Sequence, residues 1–122
     1  MRILVVDDDP IIRKLLSEVL TNDGHQVTST ENGAEALEKV KGGPFDLVFM
    51  DVHMPQLNGL EALIAMRNLY PDMPVAMMDS YPDQLARQAE SRGALTCMHK
   101  PFDLKELRKI IEEVRNLIPW EK

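Results

Sequence analysis

The sequence lacks the features that define several large classes of protein. It has a single cysteine, Cys97, so the chain cannot form an internal disulfide, and this fits a reducing cytoplasm. No apolar run approaches the roughly 18 residues that a membrane span needs. The N-terminal residues become charged too early for a signal peptide. We therefore expect a cytoplasmic protein without a membrane partner.

Clustered positive charge is also missing. The chain has 14 Lys and Arg residues against 20 Asp and Glu residues, which gives a formal net charge of -6. Because nucleic-acid binding rests on clustered Lys and Arg, we expect no direct contact with nucleic acid. Cys97 and the three histidines do not have the spacing of zinc ligands. The remaining partners are proteins, metal ions and small molecules.

The chain instead shows a repeated alternation of strand and helix patterns over residues 1–122. Its 44% hydrophobic and 28% charged residues are typical of one globular domain. Nearly continuous apolar strands are buried on both faces, so the pattern predicts a doubly wound α/β domain whose parallel sheet carries helices on both faces. The predicted strands are 3–6, 25–30, 45–50, 75–78 and 94–98, and the predicted helices are 10–21, 33–41, 60–69, 83–92 and 103–117. On the last helix we expect these residues to face inward: Leu104, Leu107, Ile110, Ile111, Val114 and Leu117.

Charged residues follow four of the predicted strands. Asp7 and Asp8 end the first strand, Asp51 ends the third, Asp79 ends the fourth, and Lys100 follows the fifth. The carboxyl ends of parallel strands meet at one edge of the sheet, where open α/β folds bind ligands. Neighbouring carboxylates repel by about 1 kcal/mol or more per pair, so we expect a divalent cation between them. A small set of oxygen ligands favours Mg²⁺.

Such an edge suits phosphoryl transfer. Asp51 ends the most apolar strand and is the best placed nucleophile for forming an aspartyl phosphate. Asp7 and Asp8 would hold the metal, and Lys100 would pair with a phosphate oxygen.

Three sequence segments together resemble a known family. They are Ile-Leu-Val-Val-Asp-Asp at 3–8, Asp-Val-His-Met-Pro at 51–55 with Asn-Gly-Leu-Glu at 58–61, and Lys-Pro-Phe at 100–102. In this order they resemble the receiver domains of bacterial two-component response regulators, over the whole chain. The resemblance implies a flavodoxin-like fold with strand order 2-1-3-4-5.

A finer resemblance is to stand-alone receivers of sporulation phosphorelays. It rests on Gly-Ala-Leu-Thr at 93–96 and Lys-Pro-Phe-Asp at 100–103. The family resemblance implies that the phosphoryl group comes from a sensor histidine kinase or a histidine phosphotransfer protein, and we expect a monomer or weak homodimer. The signal would then pass to a downstream effector protein, and the only reactions catalysed would be the domain's own phosphorylation and dephosphorylation.

The resemblance also implies roles for individual residues. Asp51 would be the phosphoacceptor, and the carbonyl of His53 would complete a metal shell begun by Asp7, Asp8 and Asp51. Lys100 would contact the phosphoryl group and precede a cis bond to Pro101. The phosphodonor would meet the first helix and the loop after the fifth strand, at these residues: Ile11, Ile12, Leu15, Pro101 and Phe102.

Two positions depart from the family pattern. Asp79 stands where the family has Thr or Ser, and Cys97 stands where it has an aromatic residue. A carboxylate at position 79 would repel an incoming phosphoryl group, unless it pairs with Lys100 or joins the metal shell. A turn residue with its side chain in solvent is an equally weighted hypothesis for Asp79. These departures favour a second function, a degenerate receiver that binds partners without phosphorylation.

Two more functions fit these residues less well. A Mg²⁺-dependent phosphatase with an aspartyl nucleophile would need a cap domain that this short chain lacks. A flavodoxin-like phosphate carrier is disfavoured by the acidic residues after the first strand, where phosphate needs backbone N–H donors.

The cysteine and the histidines are expected to have ordinary structural roles. We expect Cys97 to be a small buried strand residue and not a redox sensor. His25 and His53 are expected at the surface, and His99 attracts notice only because it precedes Lys100.

Overall fold

The structure, a computed structural model, describes residues 1–80 and 84–117. Its strands form one parallel sheet in the order β2-β1-β3-β4-β5. The strands are β1 (Arg2–Val6), β2 (Gln26–Thr30), β3 (Leu47–Asp51), β4 (Val75–Asp79) and β5 (Thr96–His99). The helices are α1 (Pro10–Asn22), α2 (Gly33–Lys41), α3 (Gly59–Leu69), α4 (Gln84–Ser91) and α5 (Leu104–Leu117). The predicted doubly wound α/β fold and its strand order are confirmed.

The two faces of the sheet pack against different helices. Along β1, Leu4 and Val6 point into a core shared with α2, α3 and α4, whereas Ile3 and Val5 point into a core shared with α1 and α5. This alternation follows from the pleat, which sends successive side chains to opposite faces. Within the part of the chain that the structure describes, no helix is long and apolar enough to cross a membrane.

Side-chain caps fix where the helices begin. Asp9 Oδ1 accepts a hydrogen bond from the Ile11 N–H at 2.9 Å, and Pro10 occupies the first helical position. Asn58 and Glu61 form a reciprocal capping box at the start of α3. The caps place α1 and α3 directly after the loops that follow β1 and β3, so the two loops lie at the same edge of the sheet.

Several boundaries and burial predictions were wrong. β3 begins at Leu47 and not at Phe45, and β5 begins at Thr96 and not at Ala94. Leu104 and Leu117 are exposed: Leu104 is the first residue of α5, with no helical turn before it, and Leu117 borders an open groove at the surface. The other four inward residues of α5 are buried as predicted: Leu107, Ile110, Ile111 and Val114.

His25 is a further correction, because it is buried and not a surface residue. β2 pairs with β1 from the Arg2–Gln26 position onward, so the residue before Gln26 lies beside the N-terminus. The His25 Nδ1 atom is 3.1 Å from the amino group of Met1. The predicted first residue of α4, Asp83, lies outside the described residues.

Candidate functional site

Three of the predicted metal ligands converge at the carboxyl edge of the sheet. One carboxylate oxygen from each of Asp7, Asp8 and Asp51 lies within 4.8 Å of the others. Asp7 directly follows β1 and Asp51 ends β3, and the two strands are neighbours in the sheet. Asp7 and Asp51 are buried, while Asp8 is exposed, so the cluster opens to solvent on the Asp8 side.

Lys100 lies against the two buried carboxylates of this cluster. Its Nζ atom is 2.7 Å from Asp7 Oδ2 and 3.3 Å from Asp51 Oδ2. Burial acts to lower the pKa of Lys100, but the hydrogen bond to Asp7 and the charges of Asp51 and Asp7 outweigh it, so the pKa is raised. The ammonium group therefore stays charged and offsets part of the negative charge at this edge.

The environment of Asp51 disfavours its charged form. Burial is the largest cause of a raised pKa for this carboxyl group, and the negative charge of Asp7 adds to it. Lys100 and the His53 N–H, which donates to Asp51 Oδ1 at 3.2 Å, act in the opposite direction but do not cancel it. A divalent cation would favour the carboxylate form.

The donor set fits Mg²⁺. All three clustered groups are carboxylates, which are the hard oxygen ligands that this ion prefers, and the open side leaves room for the waters that it retains. The His53 N–H bonds the Asp51 side chain, so residues 51–53 turn back on the site. The role of the His53 carbonyl stays a prediction. The Lys100–Pro101 bond is cis, as the resemblance implied.

The Asp79 side chain neither extends into solvent nor joins the site formed by the predicted metal ligands and Lys100. It is fully buried, so the hypothesis of a turn residue with its side chain in solvent is wrong. Within residues 1–80 and 84–117, the carboxylates that lie close enough together to hold a metal ion are those of Asp7, Asp8 and Asp51, and Asp79 is not among them. The Lys100 side chain bonds Asp7 and Asp51, and Lys100 meets Asp79 through the main chain, where its N–H donates to the Asp79 carbonyl at 2.6 Å.

The Asp79 carboxylate instead bonds two side chains of β5. Cys97 Sγ donates to Asp79 Oδ2 at 2.7 Å, and His99 Nδ1 lies 2.8 Å from Asp79 Oδ1. The register pairs Met77 with Cys97 and Asp79 with His99, so the three polar side chains leave the same face of the sheet. A carboxylate can only accept, so the His99 nitrogen must be the donor.

These contacts change how Cys97 and His99 ionise. Burial and the hydrogen bond to Asp79 raise the pKa of the Cys97 thiol, which keeps it protonated and unreactive. The hydrogen bond to Asp79 and the charge of Asp79 raise the pKa of His99. The interpretation of Cys97 as a small strand residue is therefore supported, although it is only partly buried. Sequence reasoning missed His99 as a partner of Asp79.

Most of the predicted phosphodonor surface is accessible, but Ile12 is half-buried against the core. Ile11 is 74% exposed and Leu15 is also exposed, and both line a shallow groove on α1. Pro101 is exposed and Phe102 is half-buried. Exposed apolar side chains beside an acidic site are suited to contact with a protein partner, and the identity of that partner stays a prediction.

Comparisons with known proteins agree on one family. Residues 3–112 match the family model of the response regulator receiver domain. The chain is 35% identical to sporulation initiation phosphotransferase F of Bacillus subtilis over 113 residues, which cover 92% of this chain and 91% of that protein. It is 38% identical to the transcriptional regulator NtrC of Azospirillum brasilense over 115 residues, or 93% of this chain. The chain spans only about a quarter of that regulator's length, the aligned part being 24%.

Solved structures give the same result. The chemotaxis protein CheY4 of Vibrio cholerae superposes with a TM-score of 0.85 at 32% identity, over 93% of this chain and 97% of that one. The response regulator TrrA of Thermotoga maritima, solved in complex with Mg(2+)-BeF, superposes with a TM-score of 0.84 at 35% identity and the same coverage. The chain therefore belongs to the response regulator receiver domain family.

Proposed function

We propose that residues 1–122 form one phosphoryl-accepting receiver domain in which Asp51 is the phosphoacceptor. The observation that carries this proposal is the convergence of Asp7, Asp8 and Asp51 within 4.8 Å, with the Lys100 ammonium 3.3 Å from Asp51. A buried carboxylate with both an acidic pair and a fixed cation beside it can act as a nucleophile toward a phosphoryl group. The match over residues 3–112 supports the same function.

In the proposed reaction an oxygen of ionised Asp51 attacks the phosphorus of a phosphohistidine on the donor protein. The P–O bond to Asp51 forms as the P–N bond breaks, and the electron pair stays on the donor's imidazole nitrogen. Lys100 pairs with a phosphoryl oxygen and lowers the cost of the charge that Asp51 brings. Mg²⁺, held by the side chains of Asp7, Asp8 and Asp51 with the His53 carbonyl, would neutralise charge on the phosphoryl oxygens.

The partners that fit are proteins of the signalling chain. A sensor histidine kinase or a histidine phosphotransfer protein would dock on the exposed face of α1, including Ile11 and Leu15, and on the loop at Pro101 and Phe102. The domain phosphorylated on Asp51 would act on a downstream effector protein in the cytoplasm. We propose a monomer or weak homodimer without nucleic-acid or membrane contacts, consistent with the net charge of -6.

The test is intact-mass spectrometry after incubation with acetyl phosphate or phosphoramidate, with and without Mg²⁺. We expect the wild type to gain one phosphoryl mass only when Mg²⁺ is present, and Asp51→Asn to gain none. Asp72→Asn is the matched control, because Asp72 is an exposed loop residue away from the site. Equal labelling of Asp51→Asn and wild type would place the acceptor elsewhere and refute the proposal.

A second function is favoured by one observation, the buried Asp79 with both oxygens bonded to β5. If these bonds fix the end of β4 in one state, the domain would act as a phosphorylation-independent interaction module. In that case no donor would label the wild type although Mg²⁺ still binds. Binding to its partner would then be the same in the wild type and in Asp51→Ala.

A further inference from the structure

A fully buried carboxylate needs donors, and among the described residues two side chains of the neighbouring strand β5 bond the Asp79 carboxylate. Burying an unpaired carboxylate is costly, so the position of this group depends on what bonds it. A thiol is a weak donor, so the Cys97 bond to Oδ2 contributes little orientation by itself. The stronger contact is the one from His99 Nδ1 to Oδ1 at 2.8 Å.

His99 is suited to hold this carboxylate. Its side chain is 66% exposed, so only its donor nitrogen reaches inward while the rest of the ring remains hydrated. The charged groups that act on the ring are Asp79 on β4, Glu90 on α4 and Glu106 on α5, and all of them favour the imidazolium form. In that form the ring both bonds the Asp79 carboxylate and compensates its charge.

The orientation of Asp79 matters because the residue sits beside the proposed reaction site. Asp51 lies in register with Met78, the residue that precedes Asp79, and the Lys100 N–H bonds the Asp79 carbonyl. A carboxylate that turned from β5 toward this edge would add a negative charge next to Asp51 and Lys100. Such a charge would repel an incoming phosphoryl group.

We propose that His99 is a positioning residue that holds the Asp79 carboxylate against β5 and so keeps its negative charge away from the phosphoryl group that Asp51 accepts. This inference rests on the proposed function of Asp51. It gives a role to two residues that depart from the family pattern, because Asp79 with Cys97 and His99 forms a bonded set where the family has a hydroxyl and an aromatic residue.

The first measurement is the rate of phosphorylation by phosphoramidate with saturating Mg²⁺. In His99→Ala the carboxylate loses its main donor, and we expect the rate to fall roughly tenfold or more. Removing the charge as well, in Asp79→Asn/His99→Ala, should restore the rate to within about threefold of the wild type. His99→Asn keeps a donor nitrogen near the position of Nδ1 and should retain most of the rate.

The second measurement does not depend on phosphorylation. Cys97 is the only cysteine of the chain, so its alkylation by iodoacetamide reports on one thiol. The thiol is protected while burial and the hydrogen bond that it donates to the Asp79 carboxylate hold its pKa high. If His99→Ala releases the carboxylate, alkylation should become several-fold faster than in the wild type, while His99→Asn should behave like the wild type.

The two readouts separate this inference from the proposed function. A wild type that no donor labels refutes the proposed function, and the alkylation series then decides the position of Asp79 by itself. The inference is overturned if Cys97 reacts no faster in His99→Ala than in His99→Asn. It is equally overturned if Asp79→Asn/His99→Ala is phosphorylated as slowly as His99→Ala, because a purely structural loss would not be relieved by removing the charge.

Discussion

The carboxylate of Asp51 is buried next to Asp7 and is only partly compensated by Lys100 at 3.3 Å. Its raised pKa means that the charged form of this side chain is less favourable in the folded domain than in the unfolded chain. The ionised Asp51 carboxylate, which the proposed reaction needs, therefore lowers the stability of the metal-free domain. Such a conflict between stability and function is common at sites that must bind charged ligands.

We predict that Asp51→Asn raises the free energy of unfolding at pH 7 by the order of 1 kcal/mol without Mg²⁺. The neutral amide has nearly the same shape and removes the repulsion with Asp7. Urea unfolding at several pH values tests this. The penalty of the charged form is present above the raised folded pKa and vanishes below the unfolded value of 3.8, so the gain should shrink as the pH falls.

Asp72→Asn is the control for this measurement, because Asp72 is exposed and its replacement should change stability by less than about 0.5 kcal/mol. A destabilised Asp51→Asn would show that the contact with Lys100 outweighs burial and the repulsion from Asp7. The folded protein would then lower the pKa of Asp51 and not raise it.

Sequence reasoning brought together Asp7, Asp8, Asp51 and Lys100 because each of them follows a strand, and parallel strands end at one edge. It could not assign the partners of Asp79. Those partners depend on the register between β4 and β5, which pairs Asp79 with His99, and on the pleat, which puts Cys97 on the same face. Neither register nor face is encoded in a strand as short as Val75–Asp79, in which every residue before Asp79 is apolar.

At the scale of elements, α3 begins against the backbone of the site. Gly59, its first residue, donates its N–H to the Val52 carbonyl at 2.9 Å. A Cβ atom at Gly59 would lie 2.2 Å from the Asp51 carbonyl oxygen and 2.8 Å from Val52 Cα. Both neighbours are main-chain atoms that cannot rotate away. The close approach of α3 to the end of β3 therefore requires glycine at this position.

We predict that Gly59→Ala lowers the free energy of unfolding by about 2 kcal/mol or more, because the helix must move away from β3. Gly42→Ala is the matched control. Gly42 has a φ of -77°, and its nearest neighbour to an added Cβ atom is the Lys39 carbonyl oxygen at 3.4 Å. We expect that variant to lie within about 1 kcal/mol of the wild type, on either side. Equal denaturation midpoints for the two variants would contradict the close contact at Gly59.

Element types were easier to predict than element ends. The alternation of apolar strands and amphipathic helices predicted the order of elements and the burial of β3 and β4 on both faces. Composition alone extended β3 back to Phe45 and β5 back to Ala94. Strands begin where a neighbour pairs with them: the ladder of β3 with β1 starts at Leu47 opposite Ile3, and that of β5 with β4 starts at Thr96 opposite Ala76. The partner strand, and not the residue type, sets the boundary.

At the scale of the whole molecule, folding creates the acidic cluster. Asp7 and Asp51 are distant in sequence and become neighbours only when β1 and β3 pair in the sheet. An unfolded chain does not hold these carboxylates together, so a cation that uses them binds the folded state alone. Binding of this kind stabilises the fold by an amount that grows with the free ligand concentration.

We predict that Mg²⁺ stabilises the wild type by about 2.7 kcal/mol at a concentration one hundred times its dissociation constant. Asp8→Asn should lose most of this gain while changing the metal-free stability little, because Asp8 is exposed. Urea unfolding with MgCl₂, compared with NaCl at equal ionic strength, separates specific binding from screening of the net charge of -6. Equal stabilisation of Asp8→Asn and wild type would mean that Mg²⁺ acts at other acidic groups of the surface. The convergence of Asp7, Asp8 and Asp51 would then be insufficient to make the site for the ion.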